Sequence, residues 1–197
     1  MEKLVKLHYR HLLASTQQCR IYSMESHELK VGKAFFEEMV RKAARTPGEV
    51  VMVVRRPGDR VLVNTKGFYP PETYRLPTGM MKPDETPVQA FGREIREETG
   101  LDPGTGLELG IIENVFIHGR ETVRYSSHIF LTEETRDEPV PEDEEEEIAG
   151  FREIPVCELR EIADQLRRLP EPWQDWGRFR AVAHDFVCRY LCCSEAD

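Results

Sequence analysis

The chain has 197 residues, 40% hydrophobic and 32% charged, the make-up of a soluble globular protein, and its longest strictly apolar run (residues 50–54) is far too short to span a membrane. The net charge of −9 is local: residues 133–147 hold ten acids and one arginine, which leaves the remainder balanced at 26 acids and 26 bases, with no basic nucleic-acid footprint. The first residues, MEKLVKLHYRHLL, lack the apolar stretch and small-residue cleavage site of a signal peptide, so the five cysteines, with Cys192 and Cys193 adjacent, read as reduced thiols of a cytoplasmic protein.

KAFFEEMVRKAART (33–46) has helical spacing and ends before Pro47. EVVMVVRR, a turn at PGDR and VLVNTKGF then read as a hairpin. TPVQAFGREIREET carries apolar residues at Val88, Phe91 and Ile95, a proline (Pro87) in its first turn and Gly100 just past its end, the signature of a helix. LELGIIENVFIHG and TVRYSSHIFLTE are β-rich and predict antiparallel neighbours around Gly119, and IAGFREI predicts a last short strand. Two further helices are expected, VCELREIADQLRRL, closed by Pro170, and a final one near DWGRFRAVAHDFVCRYL. The acidic run is either a solvated loop of like charge or the source of one more metal ligand.

The chemistry concentrates at residues 79–101, GMMKPDETPVQAFGREIREETGL. On a helix, Glu94, Glu97 and Glu98 share one face, and like charges at that spacing destabilise it unless a cation offsets them. Hard carboxylate oxygens suit magnesium or manganese better than zinc. Arg93 can pair with Glu85 or hold a carboxylate bidentately, and Gly79 allows a backbone carbonyl to approach the same cation.

This segment resembles the Nudix hydrolase signature, Gly-x5-Glu-x7-Arg-Glu-U-x-Glu-Glu-x-Gly-U, with U aliphatic. Gly79, Glu85, Arg93, Glu94, Ile95, Glu97, Glu98, Gly100 and Leu101 fill all nine specified positions. The resemblance implies a Nudix-type α/β/α sandwich around a mixed β-sheet, here with extra helices at both termini. It spans about residues 49–155, so the expected organisation is an N-terminal helical extension (1–48), a Nudix hydrolase domain (49–155) and C-terminal helices packed on it (156–197).

The implied reaction is metal-dependent water attack on a diphosphate linked to another moiety: a nucleotide sugar, an ADP-ribose-like compound or a nucleoside triphosphate. The resemblance assigns metal to Gly79, Glu94, Glu97 and Glu98, with Mg2+ as the cofactor and Mn2+ as its alternative. Glu97 or Glu98 handles the water's proton, and Arg93 and Glu85 brace the helix. Nudix sites commonly recruit another acid from a distal loop; the end of the acidic run offers Glu145, Glu146 and Glu147, with Glu146 first. One departure is that Thr78 stands where the family often has glycine, followed by Met80 and Met81, which are expected to reshape the pocket wall or pack beneath the loop.

No subfamily marker names the substrate. Tyr74 and Tyr69 flank the loop into the box and are candidates for stacking a base, against simple packing. Arg55 and Arg75, with Arg56, Lys66 and Arg124, are candidate phosphate contacts, each with a surface or salt-bridge alternative. His184, Cys188 and Cys192 form a stripe that could hold zinc but reads better as a buried helix face. Trp173 and Trp176 are expected to pin the final helix to the domain. The expected partner is a nucleotide-type small molecule, with no membrane or nucleic acid; the terminal helices either extend the core or build a homodimer interface. The competing reading is a Nudix-fold ligand-binding regulator without turnover, which the intact box disfavours.

Overall fold

The computed structural model describes residues 22–102 and 104–192. The first 21 residues of the expected N-terminal extension, and Cys193, lie outside the described residues. A five-stranded mixed sheet and a three-stranded antiparallel sheet organise the rest.

The larger sheet has the order β1 (Ser23–Lys30), β6 (Leu107–His118), β7 (Glu121–Leu131), β2 (Gly48–Val53), β5 (Thr78–Met80). β6 and β7 are the expected antiparallel pair, turning at Gly119, while β1 runs parallel to β6 and β2 parallel to β7. β2 is buried along its whole length because both faces are covered, which is why it reads as an unbroken apolar run rather than an alternation. Val50 and Met52 point into one core with Phe91, Ile95 and Phe130; Val51 and Val53 point into the other with Phe116, Phe179 and Phe186. The sheet is thereby sandwiched between helices, the layer arrangement that the sequence resemblance implies.

Two expectations are corrected. Residues 49–68 do not form one hairpin. The chain leaves the large sheet after β2, and the hairpin is made by β3 (Arg55–Arg56) and β4 (Arg60–Lys66) in a second sheet of order β3-β4-β8, where β8 is Ile148–Pro155. Nor is the segment before residue 49 wholly helical, since β1 precedes α1 (Lys33–Ala43). Only Leu29 of β1 is buried, so this edge strand is held mainly by its backbone ladder to β6.

Helix α2 (Pro87–Thr99) is bounded as its sequence dictates. Thr86 and Gln89 form a reciprocal capping box, Pro87 opens the first turn, and Gly100 closes the helix at φ 64°, where only glycine is at ease. A Cβ on Gly100 would also meet the Val140 carbonyl oxygen at 2.0 Å, because the acidic segment docks there. The N–H groups of Val140, Glu142 and Asp143 donate to the carbonyls of Thr99 and Glu97, satisfying acceptors that a helix end leaves free. The stretch around PVPED is therefore pinned by its backbone to the C-terminal turn of α2.

The terminal helices join the larger core. Phe36 and Met39 of α1, Leu159, Ile162, Ala163 and Leu166 of α3 (Leu159–Arg167), and Phe179, Phe186 and Val187 of α4 (Gln174–Cys192) share one cluster with the sheet. Among the described residues no helix is long and apolar enough to cross a membrane.

Candidate active site

The box side chains converge at the β5 edge of the sheet. Arg93 is their hub: Nε and Nη2 donate to the two Glu85 oxygens at 2.7 and 2.8 Å, Nη1 donates to Glu94 at 2.7 Å and Glu97 at 2.6 Å, and Nη2 also reaches the Met80 carbonyl at 2.9 Å. This guanidinium offsets the repulsion that three clustered glutamates create on α2. It also holds the Glu85 carboxyl down at about 2. Glu94 behaves oppositely. Its burial against Gly79 outweighs the Arg93 contact and lifts its carboxyl to about 7.

Glu98 points to the other side of the helix face, fully buried, and burial raises its carboxyl above the ordinary range against the pull of Arg75 and Lys66. Lys66, at the end of β4, places Nζ 3.2 Å from Glu98 Oε1 and 2.6 Å from Glu146 Oε2. The short helical turn Glu144–Glu146 and the Gly67 N–H to Glu147 carbonyl bond deliver Glu146 to this position. Glu147 itself sits at φ 52°, a left-handed conformation that turns the chain from that turn into β8.

The donor chemistry fits a hard divalent cation. Four carboxylates from α2 and the distal turn face one another across two internal cations, and the buried Asn64 Oδ1 beside Glu98 has no hydrogen-bond donor. Among the described residues no three His, Cys, Asp or Glu side chains close into a cage by themselves; Arg93 and Lys66 hold the oxygens instead.

Beside this cluster opens a cavity of about 710 Å³. Gly79, Arg93, Glu94, Lys66 and Glu146 line one end, and Thr78, Met80 and Met81 form part of its wall. Arg41, Lys42 and Arg45, at the C-terminal end of α1 and just beyond it, line it with Lys82. Phe68, Tyr69 and Trp176 supply an aromatic side. Beneath them Glu49 is buried with Arg180 Nη1 at 2.9 and 3.0 Å from its two oxygens, joining α4 to β2.

The substrate-contact expectations divide. Arg75 lines the cavity, buried, donating to Tyr69 Oη at 2.8 Å and Thr78 Oγ1 at 3.0 Å. Arg55 and Tyr74 do not line it. Arg55 lies on the short strand β3, and Tyr74 packs under the Arg152 guanidinium 4.1 Å from its ring centre. Tyr69 holds the cavity position instead, in an aromatic group with Phe68, Trp173 and Trp176 that seats the start of α4 on the loop before the box. Arg56 is buried against Glu153 and Arg124 pairs with Glu113, so both serve as structural ion pairs. His184 has both ring nitrogens engaged, by the Leu76 N–H at 3.0 Å and the Arg180 carbonyl at 2.9 Å, as a satisfied buried side chain rather than a zinc ligand. The basic end of α1, Asn64 and Phe68 escaped the sequence reading. Their only local signal was a cluster of cations at a helix C-terminus, which the helix dipole alone would explain.

The fold has counterparts among solved structures. The E. coli dihydroneopterin triphosphate pyrophosphohydrolase is 18% identical, with 74% of this chain and 97% of that one covered and a TM-score of 0.51. A MutT protein from Methanosarcina mazei (16% identity, 77% and 97% covered, TM-score 0.48) and a C. elegans Ap4A hydrolase (16%, 75% and 96%, 0.48) also match. No curated protein matches in sequence. The family model described as NUDIX domain matches residues 45–176, a span that takes in every strand but β1, the box helix, the acidic segment and α3. With the box complete and its Gly79, Arg93 and Glu94 lining one cavity, the chain belongs to the NUDIX domain family.

Proposed function

We propose that this protein hydrolyses the diphosphate bond of a nucleoside diphosphate linked to another moiety, using Mg2+, with Mn2+ as an alternative. The observation that carries the reading is spatial. Glu94 of the box and Glu146, about fifty residues further along the chain, line a cavity whose other walls are cationic and aromatic, and Arg93 and Lys66 tie Glu97 and Glu98 to them.

Glu94, Glu97 and Glu98, with the Gly79 carbonyl, would hold the metal. A bound divalent cation there supplies charge neutralisation for the diphosphate and acidifies the attacking water. The chain's own residues do the rest. Arg93 and Glu85 fix the α2 face, so the carboxylates keep their spacing when the substrate arrives. Glu146 is partly exposed at the cavity wall, where it would serve as a further ligand or accept the water's proton, whereas Glu98 is sealed from solvent. Arg41, Arg45 and Lys82 have no ion-pair partner among the described residues and face the cavity, where they can hold substrate phosphates. Tyr69 and Phe68 offer ring faces to a base.

The test is a product-release screen over ADP-ribose, nucleotide sugars, nucleoside triphosphates, dinucleoside polyphosphates and capped RNA, with magnesium and then manganese. Turnover of at least one compound that stops with chelator is expected. Binding of a nucleotide with no turnover in either metal would favour the regulator reading.

A further inference from the structure

Glu98 is fully buried, yet its carboxylate is poorly supplied with donors. Oε2 receives a single long bond from Asn64 Nδ2 at 3.4 Å, Oε1 meets only the Lys66 ammonium at 3.2 Å, and Asn64 Oδ1 is a buried acceptor without a donor. Buried acceptors are normally satisfied, so an unpaired amide oxygen beside a buried carboxylate that shares one ammonium marks a place built for more positive charge than the chain itself provides. Among the described residues the one cation in ion-pair contact with Glu98 is Lys66, at 3.2 Å, and the same ammonium is 2.6 Å from Glu146. Its side chain is 10% exposed, and it also lines the cavity. A single lysine thus stands between oxygens contributed by α2 and the turn at residues 144–146, with the cavity on its remaining side.

We propose that Lys66 is the resident counter-cation of the Glu98–Glu146 pair, and that a divalent metal binds by displacing it into the cavity, where it meets a substrate phosphate. The inference rests on the metal-dependent reading above. An ammonium and a dication compete for the same carboxylate oxygens, and two cations cannot share them without mutual repulsion. Lys66 therefore lowers the protein's affinity for metal while keeping the distal turn docked before metal arrives. Because the displaced ammonium is then free for the substrate, metal and anionic substrate favour each other's binding through this one side chain, and the linkage is reciprocal. Lys66 acts here as a positioning residue, setting metal affinity and handing its charge over, rather than as a group that reacts.

The experiment is Mn2+ binding to the full chain, read by electron paramagnetic resonance of free Mn2+, for wild type, Lys66→Met and Lys66→Arg. Lys66→Met is expected to bind Mn2+ on the order of tenfold more tightly, the worth of one lost competing contact, while Lys66→Arg stays near wild type. Adding Glu146→Gln to Lys66→Met should return the affinity toward wild type. If Lys66→Met does not fold, as judged by circular dichroism, Lys66→Gln carries the same expectation. At saturating Mn2+ the KM of the best substrate should rise several-fold in the folded variant. A purely structural lysine would lower thermal stability in chelator and leave Mn2+ affinity equal or weaker, which would overturn the proposal. An unchanged KM would overturn the hand-over to substrate. Wild type that binds no Mn2+ would instead overturn the metal-dependent reading and this inference together.

Discussion

A Cβ on Gly79 would lie 1.9 Å from the Cδ of Glu94. The first glycine of the box is thus required by a carboxylate fifteen residues later, which packs flat on the β5 backbone in a space that any side chain would fill. The clash involves the far end of a flexible side chain, so the fold can yield by expelling Glu94. Gly79→Ala should therefore change unfolding free energy by only about 1 kcal/mol, at the low end of overpacking costs, while turnover falls on the order of 10²-fold. Denaturant unfolding and steady-state kinetics on the same preparation check both halves.

The acidic run should respond at one position. Glu146 is held by Lys66 at the cavity wall, whereas the neighbouring acids are tied to the fold through their backbones. Single amide replacements at the acids between 137 and 147 should leave turnover nearly unchanged, except Glu146→Gln, expected to lose on the order of 10²-fold in kcat. Small, uniform effects removed by added salt would mean that the run is only a charge patch.

The basic end of α1 should affect binding rather than chemistry. Arg41→Gln combined with Arg45→Gln removes two unpaired cations from the cavity lining. Exposed ionic contacts are worth about 0.2–1 kcal/mol each, so KM should rise about two- to thirtyfold with kcat nearly constant, and the gap to wild type should shrink in high salt. Glu38, one turn before Arg41, also lines the cavity, so Glu38→Gln should shift KM the opposite way.

His184 gives the fold an acid-sensitive latch. Burial lowers its imidazole to about 4, keeping it neutral so that it can accept the Leu76 N–H just ahead of the box. The folded value lies below the unfolded one of about 6.5, so between these values the unfolded chain binds more protons. The contribution is complete above about pH 6.5 and is lost as pH falls toward 4, in total of order 3 kcal/mol. His184→Gln has no such proton to take up. Its stability deficit relative to wild type, measured by urea unfolding in chelator, should narrow as pH falls through this window.

Much of the site was legible because it is local. Pro87, Gly100 and the carboxylate spacing all lie within one helix and its ends, and each found its expected place. β6 and β7 were legible for the same reason, being adjacent and separated by one turn. β1 was not legible, because SMESHELK is a polar edge strand whose hold comes from backbone bonds to β6 rather than from an apolar pattern. The sheet switch after β2 was hidden too, since strand-turn-strand reads alike whether the strands pair with each other or with other partners. Tyr74 and Tyr69 stand five residues apart on the same loop, and only its path decides that Tyr69 faces the cavity while Tyr74 packs beneath Arg152. The meeting of α1's cations with the box is tertiary, with no trace in either segment alone.

The central claim, that the α2 carboxylates work a metal-dependent hydrolysis, is tested most directly by turnover of the best substrate in chelator and then in magnesium, for wild type and Glu98→Gln. That change removes a buried charge yet keeps its shape, and Lys66 keeps Glu146 as a partner, so the fold should be unharmed in chelator. The account predicts wild-type turnover only with metal, and a loss of 10²-fold or more in the variant. Turnover that persists in chelator, or a Glu98→Gln enzyme running at the wild-type rate in limiting magnesium, would contradict it.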